Sequence, residues 1–170
     1  MCYDFYVKVA RFEKVSPEQY GKDLRELLNL EGKYEDIVLP KRATSGSAGY
    51  DFSIPFDLLV PAHSFVRIPT GIRVYIEEGY VLHLYPRSSL GFKYRLSLAN
   101  TTGIIDSDYY GADNEGHIIT GVVNNGDKDL FLKKGDRFVQ GIFLQYFTAE
   151  EEDVGEKRTG GFGSSDKMRP

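Results

Sequence analysis

Between Ile37 and Phe147 the chain is cut into short β-type runs: Tyr50 to Ile54, Phe65 to Ile68, Ile72 to Ile76, Tyr80 to Tyr85, Ile118 to Val123, Leu130 to Leu132 and Phe138 to Phe147. Gly, Pro and Asn-Gly punctuate them. Runs of this length and spacing predict an all-β sandwich, barrel or jelly roll. Asn124-Asn125-Gly126-Asp127 reads as a hairpin turn between two of the strands. Eighteen glycines, twelve tyrosines, eleven phenylalanines and no tryptophan suit a β-rich fold with many turns. A length of 170 residues predicts one domain able to bury a core without staples.

The flanks read differently. Phe5, Val7 and Val9 alternate with Tyr6, Lys8 and Ala10, the period of a half-buried strand. Ser16-Pro17-Glu18-Gln19 carries a helix start, with a hydroxyl cap, proline at the first position and glutamine three residues after the cap. Tyr20, Leu24, Leu27 and Leu28 then form one apolar stripe, and Gly32 can end the helix. This predicts a single N-terminal amphipathic helix packed on the outside of the β core. Residues 1–36 are thus a strand-and-helix extension of the domain and 37–147 its core. In 148–170 an acidic run, Glu150 to Asp153, precedes Gly160-Gly161-Phe162-Gly163-Ser164-Ser165, a composition that predicts a flexible C-terminal arm.

Composition narrows the chemistry. Cys2 is the single cysteine, so no intrachain disulfide or cysteine-rich zinc site can form. His63, His83 and His117 are widely spread, which disfavours a histidine-cluster metal site and leaves a hard cation held by oxygen. A net charge of −4 argues against a large basic footprint for duplex nucleic acid, while a local phosphate pocket stays open. No apolar run is long enough to span a bilayer and no signal peptide is recognisable, so a soluble, cytoplasmic protein is expected.

Five polar patches stand out. Ala43 to Phe52 is a small-residue loop entering a strand that bears Asp51. Tyr85-Pro86-Arg87-Ser88-Ser89-Leu90-Gly91-Phe92-Lys93 places a guanidinium, two hydroxyls and successive N–H groups after a strand, which is anion-binding chemistry. Leu98 to Gly111 gathers Asn100, Gly103, Ile104, Ile105, Asp106, Asp108, Tyr109 and Tyr110 around a bend that reads as a hairpin, with Gly103 at positive φ. Lys133 to Ile142 is a turn into a core strand, where Gln140 is the odd polar residue. Lys157 to Ser165 is glycine-rich, lacks the P-loop lysine and could act as a strap carrying Arg158 and Phe162.

In this order the five patches resemble the five motifs of the trimeric dUTP nucleotidohydrolase family, the dUTPases, of bacterial or phage type. The likeness covers roughly residues 37 to 165. It implies a jelly roll and a homotrimer whose active sites combine residues of more than one chain. It also implies a dUTP diphosphatase, a hydrolase of acid anhydrides that yields dUMP and pyrophosphate. Such activity limits uracil incorporation into DNA and supplies dUMP for dTMP synthesis.

By the same resemblance, Asp106 matches the acid that activates the attacking water. Asn100 with the backbone of Gly103, Ile104 and Ile105 matches the uracil reader, and Tyr109 the ring under the deoxyribose that excludes a 2′-hydroxyl. Arg87, Ser88, Ser89 and Gln140 match phosphate ligands, and Asp51 matches an acid reaching the Mg2+ shell through water. Arg158, Phe162, Gly163, Ser164 and Ser165 match the closing arm. Arg158 stands close to Gly160, so Lys157 is the alternative cation. The link Ala112 to His117 is longer than usual, and the helix before Ile37 lies outside the family core. A dCTP deaminase of the same fold and a dUTP-sensing regulatory protein are the alternatives.

Overall fold

The computed structural model describes residues 7–150. In chain order its strands are β1 (Ala10–Lys14), β2 (Lys41–Arg42), β3 (Tyr50–Ser53), β4 (Leu58–Val60), β5 (Ser64–Pro69), β6 (Ile72–Ile76), β7 (Tyr80–Pro86), β8 (Leu96–Leu98), β9 (Gly103–Ile105), β10 (Ile119–Asn124), β11 (Leu130–Leu132) and β12 (Arg137–Gln145). Two α-helices accompany them, α1 (Pro17–Leu28) and α2 (Ser88–Tyr94). The strands pair antiparallel into a five-stranded sheet, β2-β3-β12-β7-β9, a three-stranded sheet, β5-β10-β8, and the pairs β1-β6 and β11-β4. One core is shared among them. Phe52, Leu82, Leu84 and Val139 of the five-stranded sheet join Ile68, Leu98 and Val122 of the three-stranded sheet and Ile72, Val74, Val60 and Leu132 of the pairs.

The architecture is a jelly-roll-like sandwich. Among the described residues no sheet closes on itself, so the barrel reading is corrected. The edge strands of the large sheet, β2 and β9, span only two and three residues, too little ladder to close a cylinder. The fold is also not purely β: α2 escaped the sequence reading because SSLGFKY contains a glycine and shows no apolar stripe. Most of the arm at 148–170, including Lys157, Arg158, Phe162, Gly163, Ser164 and Ser165, lies outside the described residues.

Two turns differ from expectation. Asn124 to Asp127 does not close a hairpin, because β10 pairs with β5 and β8 while β11 pairs with β4. The asparagines serve as ties instead. The fully buried Asn124 donates to the carbonyls of Val60 (3.1 Å) and Lys128 (2.9 Å) and accepts from Gly126 N–H, while Asn125 donates to Arg95 O and Ser97 Oγ. Likewise β8 and β9 are not partners: β8 joins the three-stranded sheet and β9 the five-stranded one, so the polar stretch after Leu98 crosses between sheets.

At the N-terminus the strand starts later and in the opposite phase. Val7 is 79% exposed, whereas Ala10 and Phe12 pack against the core, with Phe12 against Tyr50, Phe52 and Phe143. Antiparallel pairing of β1 with β6 sets this phase, since Phe12 lies opposite the buried Val74.

Helix α1 begins as expected, with Ser16 Oγ accepting from Gln19 N–H and Pro17 at the first helical position. It stops at Leu28 because Asn29 takes the left-handed cap (φ 52°), ahead of Gly32. Gln19 does not complete a capping box, as its amide donates to Asp23. Glu115, ninety-nine residues away, takes the box's place by accepting from Ser16 N–H and Ser16 Oγ, both at 2.7 Å. These bonds hold the Glu115 carboxyl below its ordinary range. Its contribution to stability is therefore complete above its ordinary pKa of 4.5 and is lost as pH falls through the lower folded value. Glu115→Gln is predicted to lower the urea midpoint at pH 7. The gap to wild type should shrink below pH 4.5, and a pH-independent gap would contradict the assignment.

Candidate active site

Two clusters of polar side chains lie along the five-stranded sheet. The first forms where β3, β12 and the end of β7 meet. Gln140 on β12 lies opposite Asp51 on β3 and Tyr85 on β7. A register shift between Arg137 and Val139 inserts one extra residue, so that Arg137 and Gln140 both face the Asp51 side although they are three apart. Phe138 and Val139 are both fully buried at the bulge.

Asp51 is the hub of this cluster. Its carboxylate accepts from Arg137 Nη1 at 2.9 Å and lies 3.4 Å from Arg87 Nε, with its side chain only 11% exposed. Arg87 occupies the N-cap position of α2 without a side-chain capping bond, and the first two helical residues, Ser88 and Ser89, are exposed beside it. Gly49 explains the small-residue loop before β3: a Cβ there would stand 2.7 Å from Gln140 Oε1. Guanidinium groups, hydroxyls and an amide are the donor types that suit phosphate oxygens.

Arg137 is the member of this cluster that sequence reasoning passed over. Its signal was present in Lys134-Gly135-Asp136-Arg137, but only the bulge, invisible in the pattern, turns it toward Asp51. As to Mg2+, no group of three or more His, Cys, Asp or Glu side chains gathers among the described residues. The donor set fits a cation carried mainly by phosphate oxygens and water. Asp51, with both oxygens already facing arginines, fits as a ligand through water.

The second cluster lines a cavity of about 380 Å³ between the two larger sheets. Asn100, Gly103, Ile104, Ile105 and Tyr109 contribute to its wall, with Leu84 and Leu98 as apolar floor and Arg67 at the side. Gly103 is an ordinary strand residue, since the positive φ of this stretch belongs to Thr101 (66°). A glycine is wanted for space: a Cβ there would meet Leu84 at 3.1 Å. Asp106 follows β9 directly and opens a 3-10 turn, Ser107–Gly111, in which Asp108 is exposed and Tyr109 is buried.

Both sides of that turn are fastened. Arg73 donates to Tyr110 O (2.8 Å) and lies 3.7 Å from the centre of the Tyr110 ring, while Tyr110 Oη donates to Glu13 (2.7 Å). The Tyr110 hydroxyl, then Arg11, holds the Glu13 carboxyl below its usual range. On the other side, Tyr109 Oη donates to His117 O and accepts from Asn114, each at 2.8 Å. The link Ala112 to His117 thus packs against the turn. Arg11, Glu13 and Arg73 were not marked in the sequence, and the link holding Asn114 and His117 stood out only by its length.

Asp106 and Arg87 lie toward opposite ends of β7. In the antiparallel ladder Gly103 lies opposite Leu84 and Ile105 opposite Leu82, so β9 delivers Asp106 toward the Tyr80 end. Arg87 follows the other end. Five strand residues, at about 3.3 Å each, separate the Leu82 and Arg87 levels by roughly 17 Å. Replacing Asp51 by Asn removes the carboxylate between Arg87 and Arg137. Affinity for inorganic pyrophosphate without divalent cations is predicted to rise about tenfold by calorimetry. Weaker or unchanged binding would show that Asp51 does not neutralise the arginine pair.

A family model described as dUTPase matches residues 35–166. The deoxyuridine 5'-triphosphate nucleotidohydrolase of Lactococcus lactis is 42% identical over 138 residues, 78% of this chain and 92% of that protein. A crystal structure of dUTPase from Streptococcus mutans is similar with a TM-score of 0.67 and 35% identity, covering 82% of this chain and 98% of that one. The dUTPase of Staphylococcus bacteriophage 80alpha, solved with dUPNHPP, is similar in fold, with a TM-score of 0.64 and 22% identity over 94% of this chain and 99% of that one.

Proposed function

The chain belongs to the dUTPase family, and on that footing we propose that it hydrolyses dUTP to dUMP and pyrophosphate in a site assembled from more than one copy of itself. The relatives named above support the reaction. The placement of Asp106 and Arg87 at opposite ends of β7 supports the shared site and is the observation that carries it. Attack at the α-phosphorus needs the water on its base within hydrogen-bond reach of phosphorus while arginine grips oxygens of the same triphosphate. Within one chain the two backbone levels lie roughly 17 Å apart and Arg87 is held by Asp51, which favours an arginine supplied by another copy. A second copy that brings its Arg87 cluster to the first copy's cavity closes the gap, and a homotrimer supplies three such sites.

In this reading Asn100 and the β9 backbone hold the uracil edge, and a cytosine there would leave buried donors and acceptors unpaired. Tyr109 lies under the deoxyribose. Asp106 accepts a proton from the attacking water, the new P–O bond forms in line, and the electron pair of the broken anhydride bond leaves with pyrophosphate. Arg87, Ser88, Ser89 and Gln140 bind phosphate oxygens, and Asp51 holds Arg87 in place and contacts the cation shell through water. Bound Mg2+ would offset the roughly four negative charges of the triphosphate and the charge developing on the leaving group. Arg158 or Lys157, with Phe162, Gly163, Ser164 and Ser165, are assigned to an arm that closes over the nucleotide.

Asp106→Asn is predicted to lower kcat for dUTP by about 10³-fold while the melting temperature stays near wild type. Near wild-type turnover in a folded variant would contradict the base assignment. The same assay with dCTP, dTTP and UTP, scoring pyrophosphate and ammonia separately, tests the alternatives. Ammonia from dCTP would mark a deaminase. Negligible turnover with dUTP-dependent thermal stabilisation would mark a sensor.

A further inference from the structure

Helix α1 lies outside the residues that match the family model, yet it is connected to the cavity by a continuous set of buried bonds. Asp23, on the face of α1 that carries Tyr20 and Leu24, is bonded to His117 Nδ1. His117 is fully buried, and its Nε2 accepts from Gly71 N–H at 2.8 Å. A backbone N–H can only donate, so Nε2 holds the lone pair and Nδ1 carries the proton that meets Asp23. The imidazole is thereby pinned between α1 and the entry to β6. The carbonyl of the same residue accepts from Tyr109 Oη, and Asn114 donates both to that hydroxyl (2.8 Å) and to that carbonyl (3.2 Å).

The link is wrapped closely on the turn it holds. Gly116 sits at φ 70°, and a Cβ there would stand 2.6 Å from Tyr109 O and 2.9 Å from Tyr110 Cα. With Cα fixed by the turn and Oη fixed by the clamp, the Tyr109 ring has lost both ends of its pivot. Steric exclusion of one hydroxyl depends on that ring not swinging away, and a tyrosine anchored at one end only could yield.

We propose that Asn114 and His117, braced by Asp23 of α1, are positioning residues that lock the Tyr109 ring and so set the preference for deoxyribose over ribose nucleotides. The proposal rests on the reading of Tyr109 as the ring under the sugar. It gives the N-terminal helix a role at the site: it supplies the acid that orients His117. Ser16 and Glu115 brace the same contact from the helix start.

The test is steady-state hydrolysis of dUTP and UTP with Mg2+ by the full chain and five variants. Asn114→Leu and Tyr109→Phe each remove two of the three bonds of the clamp and share the one between them. Either is predicted to lower the dUTP-to-UTP ratio of kcat/KM about tenfold, through a higher KM for dUTP and a gain with UTP. The double variant should be no worse than the stronger single one. Asp23→Leu should lower the ratio in the same direction, whereas Asp23→Asn, whose amide oxygen still accepts from His117, should keep it. If Asp23→Leu does not fold, the two clamp variants decide the matter. A discriminating wild type whose clamp variants keep the ratio, or lose both substrates in parallel, overturns the positioning role alone. A wild type with no preference for dUTP overturns the reading of Tyr109 as well.

Discussion

The antiparallel register of β9 on β7 is the constraint on which the site depends. Pairing of Gly103 with Leu84 and of Ile105 with Leu82 decides that Asp106 leaves the sheet at one end while Arg87 leaves it at the other. A one-residue slip would also turn Ile105 out of the core and Ile104, now 57% exposed, into it. The close approach of Leu84 to Gly103 belongs to the same register. Packing and function are therefore tied to one ladder: the register that fills the core divides the proposed machinery between copies.

On each half-site, the side chains assigned to chemistry are held by residues remote in sequence. Asp51 is steadied by Arg137 only because a bulge in β12 brings Arg137 and Gln140 to one side of the strand. The turn that carries Tyr109 is fastened through Tyr110 to Arg73 and Glu13, and through its own hydroxyl to the link that ends at His117. Asp23 shows how such a group stays charged. Burial pushes its carboxyl up, but hydrogen bonds from His117 and Gln19 outweigh this and hold it below the usual range.

Much of this was legible in the chain. Short β-type runs between Gly, Pro and Asn-Gly located β6 and β11 to the residue and β3, β5, β7, β10 and β12 to within two. Ser16-Pro17 announced α1 because its cap is local. What escaped reading depends on contacts distant in sequence. Asn124 looked like a hairpin residue but is a buried tie to Val60, Ala10 and Phe12 rather than Val7 and Val9 face inward because of β6, and Ser16 is partnered by Glu115 rather than by Gln19 alone. Of the candidate site, Asp51, Arg87 and Gln140 come together on neighbouring strands, and Asn100, Gly103, Ile104, Ile105 and Tyr109 around one cavity. The separation of those groups could not be read, because it is a property of strand register.

Complementation between two inactive chains addresses the shared site most directly. Asp106→Asn and Arg87→Ala chains are prepared separately, shown to be folded and nearly inactive toward dUTP, then unfolded together and refolded as a mixture. If Asp106 of one copy works with Arg87 of another, random reassortment restores about a quarter of wild-type turnover, because that fraction of sites draws both residues intact. If the mixture shows no more activity than the two variants alone, both residues serve the same site from the same chain, and the account is wrong.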